Sequence, residues 1–216
     1  MRTADGVWLR GEAGTGALRV TQVPKDVDAL GAYSLGVATG VLPAALGANS
    51  EIFQFRYVGT KLAVVRRVLF SAVVSTTFFA AGVPVQVELR MARAWSADGT
   101  GGVAIVFSTA NTNKKRTGFA LSGLSDTGVR IATTAALGAG TKTLDTNALT
   151  MLVAPGPLTG SLDGAIIRPG TPLWGGDEHP LVLGPSEGLV IRSVAVPGTG
   201  TWTAAVTIEW DEQASL

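Results

Sequence analysis

The chain has 216 residues, of which 15% are charged, with 17 basic and 16 acidic side chains and a formal net charge of +1. An average soluble domain carries about 25% charged residues, so we expect partners to cover part of this sparsely charged surface. The balance of charge and the lack of a long basic run argue against a nucleic-acid partner. Cysteine is absent, which excludes disulfides, thiolate nucleophiles and cysteine-based zinc sites.

The first 50 residues are rich in glycine and show little alternation of apolar and polar side chains. We predict that residues 1–50 form an extended arm, which packs along the rest of the chain or reaches a neighbour. Residues 51–216 are then the folded domain. Residues 1–6 lack the apolar segment of a signal peptide, so we expect a soluble protein that is made in a cytoplasm.

Apolar and polar residues alternate with a period of two in residues 53–57 and 83–91, which is typical of half-buried strands. Pro84 has no N–H to donate, which places it near a strand start or at an edge. Residues 62–70 are a weaker candidate. The apolar stretch that contains them, 62–74, is interrupted by two arginines and is shorter than the ~20 residues of a membrane span, so no membrane partner is expected.

The next part of the chain gives weaker signals. Residues 102–107 and 129–132 are candidate short strands. Helical periodicity is scarce, and residues 146–153 are the best case, with Asp145 as a possible cap for the first turn. We therefore predict at most one or two short helices.

The clearest alternation is in the C-terminal residues 201–210, where Trp202 and Trp210 fall on the apolar side. Residues 188–196 precede this strand, and the link Pro197-Gly198-Thr199-Gly200 is a turn sequence. The two strands are predicted to form a hairpin.

Many short strands between glycine and proline turns indicate an all-β chain. The fold class predicted is an antiparallel β-sandwich, jelly-roll-like, with an extended N-terminal arm. No helices of crossover length lie between the strands, which excludes a parallel α/β sheet.

Few residues suit catalysis, and we predict no catalytic residue, metal or cofactor. His179 is the only histidine. A triad that uses it stays open, but no Gly-x-Ser-x-Gly elbow accompanies it. Asp177, Glu178 and His179 are consecutive, so on an extended loop they point in different directions rather than toward one metal ion. The segment 138–143 has a threonine where a phosphate loop has glycine before its lysine, and a loop before a short helix is the better interpretation.

Aromatic residues give the candidate interface. Trp202 and Trp210 alternate with polar residues and are predicted to be core. Trp95 and Trp174 lie near turn sequences and are candidates for contact with a partner or for stacking on a sugar, with partner contact favoured. Trp8 and Tyr33, in the predicted arm, complete the candidate interface.

Several stretches, in their order along the chain, resemble small structural proteins of tailed-phage virions. They are LGAYS at residues 30–34, LAVVRRV at 62–68, AALGAGTKTLD at 135–145, HPLVL at 179–183, EGLVIR at 187–192 and GTW at 200–202. The resemblance implies a virion component on the capsid exterior. A capsid decoration or cement protein that binds the major capsid protein is the function expected from it, with no catalytic residues to carry over.

Two other functions stay open: a tail or fibre module that binds a host glycan, and a hydrolase acting through His179. We also expect self-association, because low charge, a glycine-rich arm and absent disulfides favour stability gained by contact with other copies. A homotrimer is expected by analogy with the three-fold junctions of capsid subunits.

Overall fold

The computed structural model describes residues 9–11, 18–20, 31–44, 46–80, 83–109, 113–156, 164–175, 180–195 and 198–214. Within these ranges the chain forms strands and no helix. The described residues therefore contain no helix long and apolar enough to cross a membrane. The strands are β1 (Leu9–Gly11), β2 (Leu18–Val20), β3 (Gly31–Ala38), β4 (Leu42–Pro43), β5 (Ser50–Tyr57), β6 (Leu62–Val74), β7 (Val85–Ala97), β8 (Val103–Ala104), β9 (Val129–Ile131), β10 (Thr141–Leu144), β11 (Thr150–Ala154), β12 (Ala165–Gly175), β13 (Leu181–Leu183), β14 (Glu187–Ala195) and β15 (Thr201–Gln213).

Two antiparallel sheets pack against each other. The seven-stranded sheet, here sheet D, has the order β10-β7-β14-β5-β9-β8, and β11 also pairs with β7. The six-stranded sheet, here sheet C, has the order β12-β6-β15-β3, with β13 on β6 and β4 on β15. Strands β1 and β2 pair with each other. The predicted antiparallel β-sandwich is therefore confirmed.

The order of the strands is that of a jelly roll. If β10 and β11 count as one interrupted strand, eight strands follow one another as β3, β5, β6, β7, β10/β11, β12, β14 and β15. The first of these pairs with the last, the second with the seventh, the third with the sixth and the fourth with the fifth. Such nested pairing is what two Greek keys in a double sheet produce.

The core lies between the two sheets and is built by alternate residues of the long strands. Strands β6, β7 and β15 each have 13 residues, so one face of each is apolar over most of its length. Trp210 is fully buried at its centre, with its ring 5.3 Å from Tyr33 in a stacked arrangement and 5.2 Å from Phe55 edge-on. Trp202 is also fully buried, and the core prediction for both tryptophans is confirmed.

Two local predictions were wrong. Residues 146–153 do not form a helix, because Thr150–Ala154 pairs with β7 as strand β11. Strands β14 and β15 do not form a hairpin, since β14 lies in sheet D and β15 in sheet C. The link between them carries the chain from one sheet to the other, and each strand fills a central place in its own sheet.

The predicted boundary at residue 50 was also wrong. Strand β3 pairs with β15 over eight residue pairs, from Gly31 with Glu212 to Ala38 with Ala205. Tyr33 and Leu35 of β3 belong to the main core. The sandwich therefore begins by residue 31, and the arm prediction for residues 1–30 lies largely outside the described residues.

Replacing Trp210 by alanine should remove the aromatic centre of the core. We expect Trp210→Ala to lower the free energy of unfolding by about 3–5 kcal/mol, because a large buried ring leaves a cavity. Trp174→Ala is the matched control, since Trp174 is only partly buried. Urea denaturation of both variants measures the difference, and equal losses would contradict the central role of Trp210.

Candidate partner interface

Part of the outer face of sheet C carries no charged side chain. Residues of β3, β6 and β15 that alternate with core residues form three rows across it. These rows are Gly36, Thr207 and Leu69; Ala38, Ala205 and Ser71; and Thr203 with Val73. We call these eight residues the neutral face. All eight side chains are small, hydroxylic or aliphatic, so the surface is flat and has no ion to desolvate.

The neutral face is accessible within the described part of the chain. Ala38, Ala205 and Gly36 are exposed, and Val73 is 40% exposed. A Cβ on Gly36 would meet its nearest atom, Thr207 Oγ1, at 3.8 Å, an ordinary contact. Side chains can therefore be added here without disturbing the strand beneath.

Charged side chains lie next to one end of the neutral face. Arg67 on β6 lies beside Glu209 on β15, with 2.7 Å between Nη2 and Oε1, and Lys115 Nζ is 3.2 Å from Oε2 of the same carboxylate. Burial by itself raises the pKa of Glu209, but the hydrogen bonds from Arg67 and Lys115 outweigh it and hold the pKa below its ordinary value. The charged cluster marks the boundary of the neutral face.

The outer face of sheet D differs because the chain itself covers part of it. Leu137 N donates to Glu51 O, and Gly138 O accepts from Gln54 Nε2 at 3.0 Å, so the segment before β10 lies against β5. Gln54 is fully buried although it points away from the main core. Gly99 packs so closely that a Cβ there would lie 2.1 Å from Gln54 Oε1. This face is a second, polar packing layer.

A buried ion pair lies in this layer. Lys142 Nζ is 2.8 Å from Glu51 Oε2, and the two side chains are 2% and 8% exposed. The same ammonium lies 4.5 Å from the ring centroid of Trp95 and donates to Ala139 O. A cation over an indole ring is attracted by the negative ring face. Lys142 therefore fixes β10 to the sheet and is not available to bind a phosphate. The loop predicted at residues 138–143 leads into strand β10, not into a helix.

A second carboxylate in this layer binds two arginines. Glu88 is 1% exposed and accepts hydrogen bonds from Arg90, at 2.5 Å, and from Arg192 on the neighbouring strand β14. Burial alone would raise the pKa of Glu88, but the hydrogen bonds and charges of the two arginines outweigh it, so the pKa lies below its ordinary value. Arg90 also donates to Asp145 O at 2.8 Å, which holds the connection between β10 and β11.

A third buried carboxylate lies at one end of the sandwich. Glu212 is 2% exposed and accepts from Ser122 Oγ at 2.6 Å and Gly123 N at 2.8 Å. Burial raises the pKa of Tyr33 and of Tyr57, and the negative charge of Glu212 raises both further. The two phenols therefore stay protonated, and the carboxylate serves to hold the connecting segment against the core.

The interface prediction required Trp95 and Tyr33 to lie at the surface. In the structure both side chains are buried instead. Trp95 is fully buried over Ala92 and Val190, and its Nε1 donates to Ala97 O. Ala94 has a positive φ of 48°, and this irregularity turns Trp95 to the same side as Ala92. Tyr33 is 1% exposed and stacks in the core. Neither side chain can offer surface to a partner.

The other predicted site residues are separated or lie outside the described chain. Trp174 is on β12, partly buried against the main core. Trp8, Asp177, Glu178 and His179 lie outside the described residues. Within the described ranges no three acidic or histidine side chains form a cluster that could hold a metal ion.

The neutral face was not recognised from the sequence. Its signal was present in residues 201–207, where the residues that alternate with the apolar ones are threonine and alanine and none of them is charged. No family model, no curated protein and no solved structure matches this chain.

Replacing Glu88 by glutamine should destabilise the fold and change its response to acid. Because the pKa of Glu88 is lowered in the folded state, its ionised form contributes stability above about pH 4, and this is lost as the pH falls through the lowered value. We expect Glu88→Gln to cost about 3 kcal/mol at neutral pH, since two arginines lose their buried partner.

Glu209→Gln is the matched control, because Glu209 also binds two cations but at a solvated site, where such pairs contribute under about 1 kcal/mol. Denaturation curves from pH 3 to pH 7 compare the two variants with the parent chain. If the free energy of unfolding falls equally steeply with acid in the parent chain and in Glu88→Gln, the role assigned to Glu88 in acid stability is contradicted.

Proposed function

We propose that this protein is a non-enzymatic structural component of a tailed-phage particle. In this proposal it is a capsid decoration protein that binds the major capsid protein shell from outside through the neutral face. The observation that carries the proposal is the neutral face itself: eight neighbouring residues on the outer side of sheet C form an accessible surface without charge, whereas buried ion pairs lie across the outer face of sheet D.

Interface energetics support this use of the neutral face. The core of a protein interface is depleted of charged side chains, because each ion would have to be desolvated when the partner arrives. Ala38, Ala205 and Gly36 lose little conformational entropy on contact, since they have few or no side-chain torsions to fix. A rigid sheet of small residues therefore suits repeated docking on a regular surface.

The architecture agrees with this proposal by analogy. Double-sheet jelly rolls occur in viral capsid proteins, and also in lectins and cupins, so the fold alone does not choose a function. The ordered similarity of six stretches to phage virion proteins favours the first of these. The alternative of a glycan-binding tail module has less support, because Trp95 is not at the surface to stack on a sugar ring.

The first test is the place and number of copies in the particle. Purified particles of the phage that encodes this chain should contain it in numbers comparable with the major capsid protein, as a protein bound at repeated shell sites requires. Gel densitometry measures this ratio, and immunogold labelling locates the chain on heads or tails. A few copies confined to the tail would favour the glycan-binding alternative, and absence from the particle would refute the proposal.

The second test places a charge on the neutral face. Ala205→Lys should weaken binding to heads that lack this protein by at least about tenfold, because the lysine must be desolvated against an uncharged contact, a cost above about 1.4 kcal/mol. Ala97→Lys is the matched control, an exposed alanine on a strand of the other sheet. Co-sedimentation with heads measures both. Equal binding by the two variants would show that the neutral face is not the contact.

A further inference from the structure

Each edge of sheet C has features that prevent pairing with another strand over at least part of its length. On the β3 edge, Ser34 N donates to Asn113 O and Lys115 N donates to Ala32 O, each at 2.8 Å. The segment at residues 113–115 therefore pairs with the outward backbone groups of Ala32 and Ser34. On the opposite edge, β12 contains Pro169 and Pro172 and has three register shifts against β6. Prolines and bulges are the usual means of preventing further pairing.

The two edges of sheet D differ in how well they could pair with another strand. Strand β8 is only two residues long, too short to pair with another chain. At the other edge, β10 is interrupted by a register shift and holds Lys142 turned toward the sheet. Strand β11, Thr150–Ala154, continues this edge with five consecutive pairs to β7 and no register shift. Among the described residues β7 is the only strand with which β11 pairs.

The side chains of β11 make this edge unusual. None of its five residues is charged or a proline. Met151 is 45% exposed and Val153 is 60% exposed, the latter the highest value among the exposed large hydrophobic residues of the described chain. A regular, uncharged, apolar edge strand is a template for pairing with another strand.

We propose that β11 pairs antiparallel with β11 of a second copy of this chain, about a two-fold axis at Leu152. A two-fold contact brings a strand against itself, so any charged residue would meet a like charge nearby, and β11 has none. Centring at Leu152 places Met151 of each copy opposite Val153 of the other. Both exposed apolar side chains are then covered, whereas an axis one residue later would place Met151 opposite Pro155.

This contact is independent of the neutral face, which belongs to the other sheet. It is also small, because five residues a side bury much less than the roughly 800 Å² per partner of a standard interface. We therefore expect association that is readily reversible in solution. On a shell, where neighbouring copies are held close together, the same contact would be strengthened by effective concentration.

Charge substitution tests the pairing and its register. At about 100 μM the parent chain should contain dimer, because a contact of this size gives weak but measurable association. Met151→Lys together with Val153→Lys should lower the association constant at least tenfold, since each lysine then faces a lysine. Met151→Lys together with Val153→Glu should restore dimer, because each lysine then faces a glutamate. Val103→Lys, at a valine 50% exposed on β8, is the control and should leave dimer unchanged.

Sedimentation equilibrium measures association, and urea denaturation checks that each variant is folded. A parent chain that is monomeric at this concentration, or trimeric as the analogy with three-fold capsid junctions suggests, would overturn the two-fold pairing. Failure of the lysine–glutamate variant to restore dimer would overturn it as well. Neither result depends on phage heads, so failure here is separate from failure of the proposed capsid function.

Cysteine cross-linking gives a second measurement in a chain that has no cysteine of its own. Met151→Cys together with Val153→Cys places two thiols opposite each other across the axis, at a cross-strand spacing that suits a disulfide. Mild oxidation should yield a covalent dimer from this variant and not from Val103→Cys. Monomer from both, or equal cross-linking of both, would overturn the proposal.

Discussion

The alternation of side chains along three 13-residue strands is the constraint on which the rest of this structure depends. Strands β6, β7 and β15 each commit one face to the core, so the residues between must form the outer surfaces. The composition of that second set decides what each outer surface can contact. It is polar and ionic on β7, whereas on β15 it is hydroxylic and small as far as Thr207 and acidic at Glu209 and Asp211.

The core could be predicted because its signal is local. Val85, Val87, Leu89 and Met91 are all buried, as their spacing indicates, and Pro84 lies just before the strand that contains them. The pairing of strands could not be predicted in the same way. The link at residues 197–200 has the composition of a hairpin turn, yet it joins strands of different sheets. Turn chemistry constrains the backbone locally but does not choose which sheet the next strand joins.

Trp95 and Lys142 show why the candidate site could not be predicted. Trp95 lies near a turn sequence, which suggests exposure, but the positive φ at Ala94 redirects its ring onto the sheet. A Cβ on Gly188 would lie 2.9 Å from that ring, so the ring occupies the space that the missing side chain leaves. Lys142 is buried because Glu51, 91 residues away in sequence, is there to neutralise it. No window of sequence contains both partners.

The separation of charge between the two sheets has a physical cause and a consequence for assembly. A buried ion is tolerated only with a partner and hydrogen bonds, and each of Glu51 and Glu88 has both. These pairs hold the segments that cross the outer face of sheet D, so that face is largely occupied by the chain itself. On the outer face of sheet C the ionic contacts, Arg66 with Asp211 and Arg67 and Lys115 with Glu209, lie at one end, and the eight residues of the neutral face carry no charge. A chain with so few charges can therefore hold its connecting segments in place with ion pairs and still keep the neutral face free of ions, which is the arrangement that favours contact with another protein.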